Sequence, residues 1–239
     1  MGKLSPKLVA AVVDVETTGT NPESDKITEL GICLFEYDRQ RGRIYKVLGS
    51  WEWFEDPGFP IPPEITNITG ITDEMVAGRR IDDSAVNDLL NPVVVVIAHN
   101  AGFDRRFLEK RLTGFSTKHW ACSRFDIDWK AEGIRSSALE FVAYSLGFFH
   151  DGHRAASDCR TTIHALAQRL PGTGRLALQA LLEQARLLTG QGTPQSKRRI
   201  CSRPEGTVGV QEKPGVRNAG AEMCQTPIRP QRWLGAGQI

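Results

Sequence analysis

The stretch that most constrains this chain is Leu8 to Val13 running directly into Asp14-Val15-Glu16-Thr17-Thr18-Gly19. The first part is apolar and β-branched toward its end, the pattern of a strand buried at the centre of a sheet. Side chains alternate faces along a strand, so Asp14 and Glu16 point the same way. Two adjacent carboxylates repel and are costly to bury unpaired. A divalent cation removes that cost, and an all-oxygen donor pair suits Mg²⁺ or Mn²⁺ rather than zinc. Thr17 and Thr18 then offer hydroxyls and backbone N–H groups beside such an ion, where a nucleotide end can sit. Taken alone, the pair is equally well read as an acidic strand end facing solvent.

The spacing predicts two further strands, Ile27 to Tyr37 and Arg43 to Glu55, joined as an antiparallel hairpin through the turn Asp38 to Gly42. Short helices are expected over 64–68 and from Asp73 behind Thr72, and another over 83–90, capped by Asp82 or Asp83 and stopped before Pro92. Val93 to Ala98 is a second buried strand, apolar on both faces, expected beside the first at the sheet centre. Further helices are expected over 103–112, over 136–146 with Ser136 or Ser137 as cap, over 155–170 and over 174–188, with a short strand in 120–125. The order gives an α/β fold, a mixed sheet with helices on its faces.

This chain of 239 residues, 40% hydrophobic and 24% charged, suffices for one such domain. Residues 1–189 are read as that domain and 190–239 as a disordered basic tail, because composition shifts there to Gly, Pro, Gln, Arg and Lys without periodicity. Eight basic against three acidic residues give the tail +5, which leaves −3 on the domain out of a net +2. A mildly acidic domain with a basic tail is compatible with a nucleic-acid substrate. Cys33, Cys122, Cys159, Cys201 and Cys224 form no C-x-x-C pair and read as free thiols in a reducing compartment. No run approaches the roughly 20 apolar residues of a membrane helix, so the expected location is the cytoplasm.

Two more acids occupy suggestive places. Asp104 follows the Val-rich strand, and Asp158 opens the helix predicted from Ala155. Open α/β sheets build their sites at such strand ends, so four carboxylates from distant segments can converge, a set that two divalent ions stabilise. Each acid also has a plain reading as a helix N-terminal residue. His153, five residues before Asp158, is either an ordinary loop histidine or a base able to take a proton from water beside the metal. Phe103 is placed either to stack on a terminal base or to pack on the sheet.

Asp14-Val15-Glu16-Thr17-Thr18-Gly19, His99-Asn100-Ala101-Gly102-Phe103-Asp104 and His153-Arg154-Ala155-Ala156-Ser157-Asp158 together resemble the three ordered motifs of the DEDD 3′–5′ exonucleases. The subgroup is the one with histidine in the third motif, which includes the polymerase III epsilon subunit, ribonuclease T and exodeoxyribonuclease X. The likeness spans about residues 8–170. It implies a ribonuclease H-like, five-stranded mixed sheet, and two Mg²⁺ or Mn²⁺ ions on Asp14, Glu16, Asp104 and Asp158. It implies His153 as general base, with Thr17, Thr18, Asn100 and Phe103 near the substrate. The family often carries Ile-His-Gly-Ile-Thr; here Ile68-Thr69-Gly70-Ile71-Thr72 has Thr69 in place of the histidine, which removes that contact. The expected activity is release of nucleoside monophosphates from DNA 3′ ends, preferably single-stranded, in DNA repair. An exoribonuclease and a proofreading subunit docked on a DNA polymerase are the alternatives; the intact acid set argues against a catalytically dead binding module.

Overall fold

A computed structural model describes residues 7–150, 152 and 154–189. Strands β1 (Lys7–Thr17), β2 (Ile27–Asp38) and β3 (Arg43–Phe54) form an antiparallel meander, and β4 (Val93–Ala98) and β5 (Trp120–Cys122) add in parallel on the other side of β1. The resulting five-stranded mixed sheet has the order β3-β2-β1-β4-β5, so β1 is central, as its apolar run requires. Parallel pairing of β1 with β4 needs a crossover. The segment from α1 (Pro63–Thr69) through α2 (Asp73–Val76) and α3 (Asp83–Leu90) supplies it. The remaining helices are α4 (Ala101–Arg111), α5 (Leu139–Ser145), α6 (Ala155–Ala167) and α7 (Ala177–Thr189).

The period-2 alternation sorts the core into two layers. Ala10 and Val12 of β1 face Cys159, Ile163 and Leu166 of α6 and Leu178, Leu181 and Leu182 of α7. Ala11, Val13 and Val15 face Val86 and Leu90 of α3 and Phe107 and Leu108 of α4. Asp14 and Glu16 continue the even-numbered row, so they emerge on the α6 side of the sheet.

The long strands and the helices over 64–68 and 83–90 agree with the fold to within a residue or two, while the strand expected in 120–125 stops at Cys122. Asp82 caps α3, accepting the Ala85 N–H at 3.0 Å. Four expectations are corrected. The helix expected over 136–146 is shorter and has Ala138, not a serine, at its cap position. Ser136 instead accepts the Ala138 N–H, an alternative such hydroxyls offer the backbone. Thr72 sits at the cap of α2 without a side-chain capping bond. Helix α6 stops at Ala167, and α7 begins at Ala177, because Arg169 and Leu176 pair as a small bridge between them. Val94 is also partly solvent-facing, so β4 is not buried along its whole length. Among the described residues no helix is long and apolar enough to cross a membrane. The tail expectation for 190–239 lies outside the described residues.

Candidate active site

The site forms where β1 ends. Asp14, Glu16 and Asp158 each present an oxygen such that the three lie within 4.8 Å of one another. Asp158 reaches them because α6 docks unusually close to β2. Gly31, the register partner of Asp14, lies under the start of α6: a Cβ there would stand 2.5 Å from the Ala155 carbonyl carbon and 2.6 Å from the Ala156 nitrogen. Glycine at 31 and the buried Ala155 and Ala156 thus let backbone meet backbone.

Asp104, in the first turn of α4, is almost fully buried and accepts the Val15 N–H at 3.2 Å. It is fixed behind the trio, close enough that its charge adds to that on Asp14. Burial, then repulsion from Asp104, Asp158, Glu16 and Glu29, pushes the Asp14 carboxyl well above the carboxylate range. Burial and the neighbouring acids push Glu16 up to about 8. Burial chiefly, with Asp158 adding, pushes Asp104 up to about 7. Carboxyls held this far from their ordinary values mark a concentration of negative charge that the apo chain cannot satisfy. Oxygen-only donors in that setting fit a hard divalent cation.

The other expected site residues fall as follows. Thr17 and Thr18 are buried, and their hydroxyls serve the turn: Thr17 Oγ1 donates to the Gly19 carbonyl at 2.6 Å, and Thr18 Oγ1 accepts the Lys26 N–H at 3.1 Å. Asn100 precedes α4 and makes no side-chain capping bond. Phe103 is partly buried on the α4 layer, with its ring 5.0 Å from that of Phe107. Thr69, where the family often has histidine, is turned inward, donating to the Ile65 carbonyl and accepting from Ile71 N–H. His153 lies outside the described residues.

Sequence reasoning missed three participants. His150 puts Nε2 3.5 Å from Asp158 Oδ1, while its Nδ1 pairs with Thr161 Oγ1 at 3.0 Å. It also closes one end of a surface hollow of about 580 Å³ lined by Phe141, Tyr144, Phe148 and Phe149. Glu29, fully buried on β2, accepts from Arg154 Nε and Nη2, each at 3.1 Å, and from the Ala155 N–H at 3.2 Å. Arg154 extends on to Glu52 Oε1 at 2.9 Å. This Glu29–Arg154–Glu52 chain pins the first turn of α6, and with it Asp158, to β2 and β3. A glutamate set between Ile27 and Leu30 of a strand is the signal that could have found Glu29: a fully buried charge persists only when paired.

His99 is the third-layer support of this edge. Its Nδ1 pairs with Ser123 Oγ at 2.9 Å and its Nε2 with the Ser137 carbonyl at 2.8 Å. Burial drives its pKa down to about 4, so the neutral ring ties β4, β5 and the approach to α5 together.

Comparison with known proteins agrees with this geometry. The exonuclease family model (RNase_T) matches residues 11–166. A PolC-type DNA polymerase III of Thermotoga maritima is 28% identical over 215 residues, which is 87% of this chain and 15% of that protein. The chain therefore spans only a small part of the length of such relatives. The DNA polymerase III epsilon subunit of Treponema pallidum is 28% identical over 156 residues, 62% of this chain and 69% of that one. Among solved structures, exonuclease X in complex with 5′-overhanging duplex DNA superposes with a TM-score of 0.51 at 24% identity, covering 74% of this chain and 99% of the other. E. coli exonuclease I in complex with a dA16 oligonucleotide gives 0.54 at 17% identity, covering 72% and 42%. With three ordered acidic motifs, the acids gathered at the end of β1 and a family match across most of the domain, the chain belongs to the RNase_T exonuclease family.

Proposed function

We propose that the chain releases nucleoside monophosphates from DNA 3′ ends, preferring single strands, by hydrolysis at a pair of Mg²⁺ or Mn²⁺ ions. The observation that carries this reading is the trio Asp14, Glu16 and Asp158 within 4.8 Å, with Asp104 fixed behind it. These four acids would hold the ions. When bound, the ions supply positive charge that polarises the phosphodiester and makes water more acidic. The chain's own residues do the rest. Glu29 and Arg154 hold the first turn of α6 so that Asp158 faces Asp14 and Glu16. The turn after β1, closed by Thr17 and Thr18, and the start of α4 with Asn100 and Phe103 flank the acids, where a terminal nucleotide would lie. His153, which directly precedes Arg154 in the third motif, takes the proton released as water attacks phosphorus.

DNA is favoured over RNA because relatives of this chain are DNA polymerase III components and because exonuclease X and exonuclease I carry DNA in their solved structures. The same relatives make a DNA polymerase a candidate partner. The buried thiols Cys33, Cys122 and Cys159, free in the fold, support a reducing cytoplasm.

The test is a degradation ladder. Purified protein is incubated with 5′-labelled single- and double-stranded DNA and RNA in Mg²⁺, Mn²⁺ or EDTA. A ladder shortening from the 3′ end of single-stranded DNA, abolished by EDTA while far-UV circular dichroism persists, is expected. Cleavage that survives EDTA refutes the metal reading, and faster loss of RNA refutes the substrate.

A further inference from the structure

Beyond the acids, the same edge of the sheet carries a cation that makes no ion pair among the described residues. Strand β5 ends at Cys122, and the chain turns tightly there: the Phe125 and Asp126 N–H groups both donate to the Cys122 carbonyl, and Asp126 Oδ2 accepts the Cys122 N–H at 2.7 Å. Ser123, next in the turn, is tied to Ala98 of β4 by backbone and to His99 by its hydroxyl. The turn therefore has one position, and it presents Arg124 and Phe125. Among the described residues the Arg124 guanidinium makes no ion pair, and its Nε, shielded from water, has no hydrogen-bond partner. The guanidinium lies over the ring of Phe125, 5.1 Å from the centroid, and that ring is half exposed. A buried N–H donor without an acceptor costs stability, and an arginine stacked on an open aromatic ring is pre-organised for phosphate and base together.

The edge links this turn to the acids. His99 joins Ser123 to the segment ahead of α5, and the chain after α5 brings His150 to Asp158. On the far side of His150 stand Tyr144 and Phe149, 80% and 90% exposed. Cations interleaved with open aromatic faces beside a hydrolytic centre are what a single strand of nucleic acid requires. We propose that Arg124 and Phe125 form a subsite for the unpaired strand that leads to the acids: Arg124 binds a backbone phosphate with its terminal N–H groups, and Phe125 stacks on the adjacent base. This rests on the exonuclease reading above and names a part of the chain that none of the three motifs contains.

The test is equilibrium binding of a fluorescein-labelled single-stranded 12-mer by anisotropy in EDTA, across a salt series, with the wild type also assayed for degradation in Mg²⁺. Arg124→Gln is expected to weaken binding about tenfold and to lower the salt slope by about one phosphate contact, while Arg124→Lys keeps the slope. Phe125→Ala is expected to weaken binding by about fivefold or more, with Phe125→Leu in between as a control for bulk. Circular dichroism and thermal melts confirm that each variant is folded. Wild-type degradation combined with unchanged affinity and slope in Arg124→Gln overturns this subsite alone. A wild type that neither binds nor degrades DNA or RNA overturns the exonuclease reading and the subsite with it.

Discussion

The Glu29–Arg154 pair is the place where stability and site geometry meet, and Arg154→Met isolates its contribution. Glu29 is wholly inside, whereas the Arg154 side chain is 40% exposed. Losing Arg154 strands a buried carboxylate. Breaking such a pair ordinarily costs about 3–5 kcal/mol. Here the Ala155 N–H still donates to Glu29 Oε2, and the abandoned Glu52 is open enough to rehydrate. The expected loss is therefore about 2–3 kcal/mol, below that range. For a domain of this size it lowers Tm by roughly 4–12 °C. The pH dependence has a definite sign. Burial already raises the Glu29 pKa above its ordinary 4.5. A raised pKa means the folded state holds its proton longer, so stability falls as pH rises above the unfolded value. Removing Arg154 raises the pKa further, so the penalty should be small near pH 4.5 and grow toward pH 8. Urea denaturation at several pH values measures it. Glu29→Met/Arg154→Met should be less destabilised than the sum of the singles by about 1–3 kcal/mol. A penalty equal at pH 5 and pH 8, with additive singles, refutes the pairing argument.

Much of this was legible before any coordinates. The apolar run into Asp14 and Glu16 fixed β1 at the centre, and alternation put both acids on one face, because period-2 side-chain geometry is local. The place of Val93 to Ala98 beside β1 was legible because a mostly apolar strand needs cover; its parallel direction shows only in the fold. Helix ends were less legible. Ser136 resembles a cap, yet its hydroxyl closes a turn one residue earlier than the helix. The stop of α6 at Ala167 depends on the Arg169–Leu176 bridge, a tertiary pairing that no local signal carries.

In the site, the motif acids were legible and their supports were not. Gly31 reads in sequence as a weak point in a strand; its purpose appears only when the start of α6 is found against it. Glu29 and Arg154 are 125 residues apart, and a charge pair at that separation has no periodicity to betray it. Thr17 and Thr18 were read as substrate contacts by position; that their hydroxyls also close their own turn had no signal in the sequence.

The site also fixes the outcome of four further perturbations. Asp14→Asn should abolish cleavage yet stabilise the metal-free protein at pH 8 relative to pH 4: carboxyls whose folded pKa is raised, Glu16 to about 8 and Asp104 to about 7, destabilise the fold as pH climbs past 4, and removing one charge relieves the others. Melts in EDTA across that range check it, and an unchanged pH slope sinks it. Gly31→Ala should push α6 off β2, lowering kcat by up to about 10²-fold through misplacement of Asp158, and lowering stability by about 1–3 kcal/mol; a fully active Gly31→Ala chain contradicts the close-approach argument. A chain ending at residue 189 should keep its rate on short oligonucleotides and lose salt-sensitive affinity for longer ones, because the segment removed carries +5 charge and no apolar periodicity. The last perturbation separates two histidines. His153 stands in the third motif, and His150 is the one placed 3.5 Å from Asp158, with its other nitrogen on Thr161. A base that takes the proton from water must be neutral to act, so its loss removes the acid limb of the pH–rate profile and costs about 10²–10⁴-fold in kcat. A histidine that steadies a ligand carboxylate acts on Asp158 and leaves the limb in place. His153→Ala should therefore erase the limb, and His150→Ala should lower kcat less and keep it. The reverse pattern, with the limb surviving in His153→Ala and lost in His150→Ala, exchanges the two roles.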